Sequence, residues 1–258
     1  MTPDIRYIGF AGLWLVALLL VFPIVDVRAA ERVDLLLAFA ADVSRSKDAS
    51  KFKLQRDGYV AAINNPRVVD AIRSGGTRRI AACFIEWSGE ASQKAVIDWT
   101  LISDAQSARR FSDGIIEAPR SFADRTSISA GIDFAVKQLE RAPFVSARRA
   151  IDVSGDGTNN SGRDVPSARD QALAQGITIN GLVILSAAPF DWNAEHTNPR
   201  GGLAEYYERN VVGGPGSFVM VAKDFESFGQ AMINKLIREI SLASPRRQIA
   251  QRYPLAPR

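Results

Sequence analysis

Four continuous apolar runs, separated by helix-compatible stretches, set the strongest limit on how this chain folds. They are VDLLLAFAADVS (residues 33–44), RRIAACFIEWS (78–88), RRAIDVSGDG (148–157) and ITINGLVIL (177–185). A strand wetted on one face alternates apolar and polar residues, whereas one covered on both faces of a parallel sheet reads as an unbroken apolar run. A further run, KAVIDWTLI (94–102), does alternate and is expected as an exposed or edge strand. SFVMVA (217–222) is a last, short strand.

Helical spacing fills the gaps. Residues 48–73 carry Phe52, Leu54, Tyr59, Val60 and Ile63 near helical period, with a break expected at Asn64-Asn65-Pro66. Residues 104–116, 127–140, 166–174, 203–209 and 224–242 complete the helical set. Strands alternating with helices specify an α/β fold, a Rossmann-like, doubly wound, mostly parallel sheet with helices on both faces. No Pro/Ser/Gly linker divides it, so residues 30–242 are expected to form one domain.

Ligands in such sheets collect beyond the carboxyl ends of the strands. Asp42-Val43-Ser44-Arg45-Ser46 follows the first strand, Asp156 follows the 148–157 strand, and Thr126 opens a helix between them. Alternate residues of an extended turn point to one side, so Ser44 and Ser46 present two hydroxyls together. Asp42 and Asp156 add negative charge and Thr126 a third hydroxyl. Oxygen donors of this kind suit a hard divalent cation, Mg²⁺ or Mn²⁺. Asn159, Asn160 and Ser161 are candidates for the rim of the site. Glu86 is a candidate either for that rim or for a buried structural partner. Without Thr126 and Asp156, the Asp and Ser residues of DVSRS would be equally well read as caps of the next helix.

DVSRS, the Thr126 loop and the SGDG turn at Asp156 resemble the metal-ion-dependent adhesion site (MIDAS) of von Willebrand factor A (VWA) domains. The segments IEWSG (85–89), RTSIS (125–129), IDVSGDG (151–157), GITINGL (176–182) and GGPGSF (213–218) are similar to a bacterial group of secreted VWA-like proteins of unknown function. The resemblance covers residues 31–242. It implies one antiparallel edge strand, supplied by KAVIDWTLI, and a role in binding an acidic side chain of a protein partner through the metal. One departure stands out, since Gly155 replaces the Thr that usually precedes Asp-Gly.

Other chemistry finds less support. Cys83 is the only cysteine, so neither an intrachain disulfide nor a thiolate zinc site is available, and it is expected in the core. No phosphate loop and no strand-linked G-x-G-x-x-G occurs. His196, the single histidine, lies in a polar loop where a solvated side chain is expected, and no G-x-S-x-G accompanies it. Asp152 is expected to bond to neighbouring backbone or to pair with Arg148 or Arg149. Trp87 and Trp99 are expected to pack in the core or at the edge, and Trp192 to lie in a surface insertion. The two rival readings are a metal-assisted hydrolase, for which Glu86 is the only candidate base, and a VWA-fold scaffold that needs no metal.

Residues 8–25 hold no charge and are preceded by Arg6 and followed by Val27-Arg28-Ala29. This is a secretory signal pattern with cleavage expected after Ala29 and a periplasmic location. The alternative is an uncleaved anchor in the inner membrane facing the periplasm. The net charge of +4 suggests nucleic acid until the charges are located. Arg246, Arg247, Arg252 and Arg258 all follow Glu239, the last acidic residue, so residues 1–242 hold 28 basic and 28 acidic side chains. The excess sits in a proline-containing tail, 243–258, suited at most to peripheral contact with a membrane or partner. Nucleic-acid binding is therefore not expected.

Overall fold

The structure is a computed structural model that describes residues 30–185 and 194–241. Its first half contains β1 (Glu31–Arg32), β2 (Leu36–Asp42), α1 (Ala49–Ile63), α2 (Pro66–Arg73), β3 (Ile80–Trp87), β4 (Gln93–Ile102) and α3 (Ala105–Glu117). The second half contains α4 (Ile128–Glu140), β5 (Phe144–Val145), β6 (Arg149–Gly155), α5 (Val165–Ala174) and β7 (Ile177–Ile184). It ends with α6 (Ala194–Thr197), α7 (Gly202–Asn210), β8 (Val219–Ala222) and α8 (Phe228–Ser241).

Six strands form one sheet in the order β4-β3-β2-β6-β7-β8, all parallel except β4, which runs antiparallel to β3. The expected edge strand is therefore in place. From β2 the chain winds outward to β3 and later returns to β6 on the other side of β2. The β2–β6 boundary is the topological switch point, where an open sheet leaves a crevice for ligands.

The two faces of β2 explain its apolar run. Leu37, Phe39 and Ala41 pack under α1, α2, α3 and α8, while Leu36, Ala38 and Ala40 pack under α4, α5 and α7. Cys83 and Trp87 are buried on the second face, as expected for core residues. Trp99 is half-buried on β4, its indole nitrogen donating to the Gln138 carbonyl at 3.0 Å. Asn64-Asn65-Pro66 separates α1 from α2 because Asn65 caps the new helix and Pro66 occupies its first turn. Asp104 and Ser127 cap α3 and α4. The short β1–β5 pair and α6 carry too little periodic sequence to be read in advance.

Asp152 departs from expectation. Its partner is neither Arg148 nor Arg149 but Lys235 of α8, at 2.7 Å, and Lys235 also holds Glu239 at 2.6 Å. All three are buried. Strand β6 is internal to the sheet, so its Asp152 side chain meets the covering helix rather than its chain neighbours.

Two carboxylates share one ammonium in this triad. Burial, reinforced by the Glu239 charge, pushes the Asp152 carboxyl up to about 7, from 3.8. Between those values the folded protein holds a proton that the unfolded chain has released, so stability falls as pH rises. We expect the denaturant midpoint to drop between about pH 4 and about pH 7, and to drop less in Asp152→Asn. Parallel urea titrations check this, and an unchanged slope in the variant would refute it.

Candidate functional site

The loop after β2 turns away from the sheet just where β6 ends beside it, so Asp42 and Asp156 face each other across the switch point. Asp42 Oδ1 accepts from the Ser44 amide at 2.7 Å, which folds the loop back on itself. Ser44 and Ser46 place their hydroxyls 3.1 Å apart, and Ser46 Oγ donates to Asp156 Oδ1 at 2.9 Å. Four of the five residues expected from sequence thus form one connected cluster. Thr126 lies on a third loop. Its Oγ1 lies 3.4 Å from His196 Nε2, and His196 in turn feels the charges of Asp156 and Asp42.

A residue that sequence reasoning missed occupies the centre. Lys47 Nζ lies 2.9 Å from Asp42 Oδ2 and 2.8 Å from Asp156 Oδ1, with its side chain fully buried. Burial alone would lower the lysine pKa, but the two carboxylates more than offset it and the value is raised. Burial pushes the Asp42 carboxyl up, Lys47 opposes it and the Asp156 charge adds to it. For Asp156 burial acts in the same direction but is outweighed by the Lys47 charge and the hydrogen bonds from Lys47 and Ser46, so its carboxyl is lowered. Of the two carboxyls Asp156 is the more readily ionised. The available sequence signal was a lysine immediately after the second serine of DVSRS.

Arg120, also unforeseen, fixes the loop. Its guanidinium donates to the carbonyls of Val43 at 2.7 Å, Ser44 at 2.8 Å and Lys47 at 2.9 Å. The Phe52 ring lies 5.2 Å from it, within cation–π range. Arg120 belongs to no helix or strand period, so pattern reading had nothing to select it by.

The rim expectations divide. Asn160 is exposed and brackets Thr126, its Oδ1 accepting from the Thr126 amide at 2.9 Å and its own amide donating to the Thr126 carbonyl at 2.9 Å. Asn159 Nδ2 donates to the Ser161 and Arg163 carbonyls, which stiffens the same turn. Both asparagines line a pocket of about 370 Å³ with His196, Arg200 and Tyr206. Glu86 does not reach this rim. It is fully buried, paired with Arg56 at 2.5 Å and accepting from the Ser121 amide at 2.9 Å. Its place is structural, supporting the segment that carries Arg120, and the candidate base of the hydrolase reading is thereby engaged elsewhere.

His196 corrects another expectation, because it is 6% exposed rather than solvated. It packs over Gly157, where a Cβ would strike the imidazole. Burial lowers its pKa, which leaves the ring neutral near pH 7. Trp192 lies outside the described residues, as do the N-terminal apolar segment and the arginine tail.

The site also explains the glycine that departs from the family pattern. A Cβ on Gly155 would collide with the Tyr207 hydroxyl and approach Asp42 Oδ2 to 3.3 Å. Tyr207, from α7, thus places a hydroxyl where the usual threonine side chain would be.

With the geometry in place, comparison with known proteins is informative. Residues 32–244 match the family described as a protein of unknown function (DUF1194). The chain belongs to the DUF1194 family. A search of curated proteins finds no match. Among solved structures it is similar to proximal thread matrix protein 1 from the mussel byssus, described with a zinc-occupied MIDAS motif, at 14% identity, covering 82% of this chain and 48% of that one, TM-score 0.53. It is also similar to the pilus adhesin SpaC from Lactobacillus rhamnosus GG, at 12% identity over 83% of this chain and 30% of that one, TM-score 0.58. The PilB minor pilin from Streptococcus sanguinis aligns at 12% identity over 84% of this chain and 64% of that one, TM-score 0.54. This chain thus spans less than half the length of the mussel protein and of SpaC. Its fold is the VWA type that the motifs implied.

In kind, the donor set of this DUF1194 protein fits a divalent ion, with two carboxylates and three hydroxyls. Among the described residues no three His, Cys, Asp or Glu side chains gather into a metal-binding group.

Gly155→Ala is expected to cost about 1–3 kcal/mol through overpacking against Tyr207. The cost should shrink in a Tyr207→Phe background, where the hydroxyl is gone. Denaturant midpoints of the two single variants and the double variant check this, and equal costs in both backgrounds would remove Tyr207 from the account.

Proposed function

We propose that this protein is an exported, non-enzymatic binding module that engages an acidic side chain of a protein partner through a divalent ion. Asp42, Ser44, Ser46, Thr126 and Asp156 would hold the ion, Mg²⁺ or Mn²⁺. When bound, it would supply an electrophilic centre for an incoming carboxylate. The observation that carries this reading is the meeting of oxygen donors from two loops at the switch point, with Ser44, Ser46 and Asp156 already in hydrogen-bonded sequence. The similarity in fold to an adhesin and a matrix protein is in keeping with a binding role.

In this reading residues 1–29 are an export signal cleaved after Ala29, and the site faces the periplasm. Residues 30–242 are the binding domain and 243–258 a basic tail. Among the described residues no helix is long and apolar enough to cross a membrane. A second reading, a VWA-fold scaffold that binds its partner without metal, is favoured by one observation: the Lys47 ammonium stands between the two carboxylates.

Affinity capture with the full-length chain, in Mn²⁺ and in chelator, tests the first reading against the second. Partner retention is expected in Mn²⁺, with loss of at least about tenfold in chelator and in Asp42→Ala, equivalent to about 1.4 kcal/mol or more. Retention unchanged by chelator would favour the scaffold.

A further inference from the structure

The two carboxylates that a divalent ion would need are already joined by a cation belonging to the chain. Lys47 Nζ sits within 2.9 Å of Asp42 and 2.8 Å of Asp156, and the ammonium is walled in. Exposure is 0% for Asp42, 1% for Ser44 and 2% for Lys47, Thr126 and Asp156. Only Ser46 is half-buried. The Lys47 backbone is separately anchored, since its carbonyl accepts from Arg120 and its amide donates to the Ser44 carbonyl at 3.2 Å. The backbone can therefore stay fixed while the long, flexible side chain exchanges positions. The next residue, Asp48, is exposed, so solvent lies one residue away.

We infer that Lys47 is a tethered competitor for the divalent ion: ammonium and metal occupy the same seat, and loading the site expels the Lys47 side chain to solvent. This inference rests on the proposed metal site and adds its regulation. An ion that enters must displace an ammonium paired with two buried carboxylates, and breaking such pairs is costly. The native chain therefore binds divalent ions more weakly than its oxygen donors alone would allow. The site has two states, one filled from within and one filled from outside.

Two measurements on the full-length chain test it, with MnCl₂ and MgCl₂ as probes. Calorimetric titration of the wild type, Lys47→Met and Lys47→Gln is expected to show at least about tenfold tighter binding in the variants. Where a variant folds poorly without ion, recovery of its circular dichroism on adding Mn²⁺ is the expected result, because the ion replaces the lost charge. Separately, mass-spectrometric mapping of amine methylation should find Lys47 protected in chelator and labelled at saturating Mn²⁺. Wild-type binding with no gain in the variants, or with Lys47 still protected, would overturn the competition while leaving the metal site standing. Binding confined to the variants would support the competition and favour the scaffold reading of the native chain. No binding by any of the three proteins, or variants that stay unfolded at saturating ion, would remove the inference.

Discussion

One ammonium shared between two buried carboxylates is the interaction on which this molecule depends most, and it occurs twice. Lys47 joins Asp42 to Asp156 beyond the carboxyl ends of the strands. Lys235 joins Asp152 to Glu239 between β6 and α8. An isolated charge moved into a protein interior is costly, and removing one partner of a buried pair costs about 3–5 kcal/mol. In both triads the acids outnumber the base, so neither is electrically complete. In the Lys235 triad the deficit shows as an Asp152 carboxyl raised to about 7. The Lys47 triad answers it with Ser46 and the Ser44 amide, which donate to the carboxylates. The different solutions fit different locations, one sealed beneath a helix and one at the topological switch point of the sheet.

The surroundings of the Lys47 triad hold its geometry through backbone groups. Arg120 takes three carbonyls of the 43–47 loop, and Glu86 with Arg56 braces the segment from which Arg120 reaches. The Arg45 amide donates to the Asp124 carbonyl and the Ser127 amide to the Ser88 carbonyl, tying the loops after β2 and β3 to the segment before α4. Removing Arg120 would free three carbonyls at once in a loop with no regular secondary structure. Arg120 and Glu86 therefore act as positioning residues, although neither touches the carboxylates of the cluster.

The fold was legible because its determinants are periodic. Continuous apolar runs gave β2, β3, β6 and β7, and the alternating run gave the antiparallel edge β4. Asn65-Pro66 divided α1 from α2 by cap chemistry that is local in sequence. The clustering of the candidate residues was legible where spacing mattered, at Asp42, Ser44 and Ser46, and where a strand end could be inferred, at Asp156. What pattern reading could not supply were the contacts made by long side chains across the fold. Lys47 appears in sequence as an ordinary charge before a helix, yet it lies buried between two strand ends. Arg120 belongs to no element, and Glu86 was offered two roles that only burial could separate. His196 was expected to be solvated because its loop is polar, but α6 carries its imidazole over Gly157.

Charge counting clarifies what the proposed exchange of cations would do to recognition. Two carboxylates and one ammonium leave the cluster with a formal charge of −1. Replacing the ammonium by a divalent ion brings it to 0. An acidic side chain approaching the first state meets a like charge in a weakly screened, mostly buried setting, where repulsion is strong. Approaching the second, it meets a neutral cluster with an electrophilic ion at its centre. The lysine that completes the fold without metal is then the group that keeps out the ion an acidic partner needs, and affinity for the partner follows the ion. The chain's small net positive charge gives no hint of this, because it lies in the tail, whereas the charge that would govern binding is a single ammonium in the neutral body.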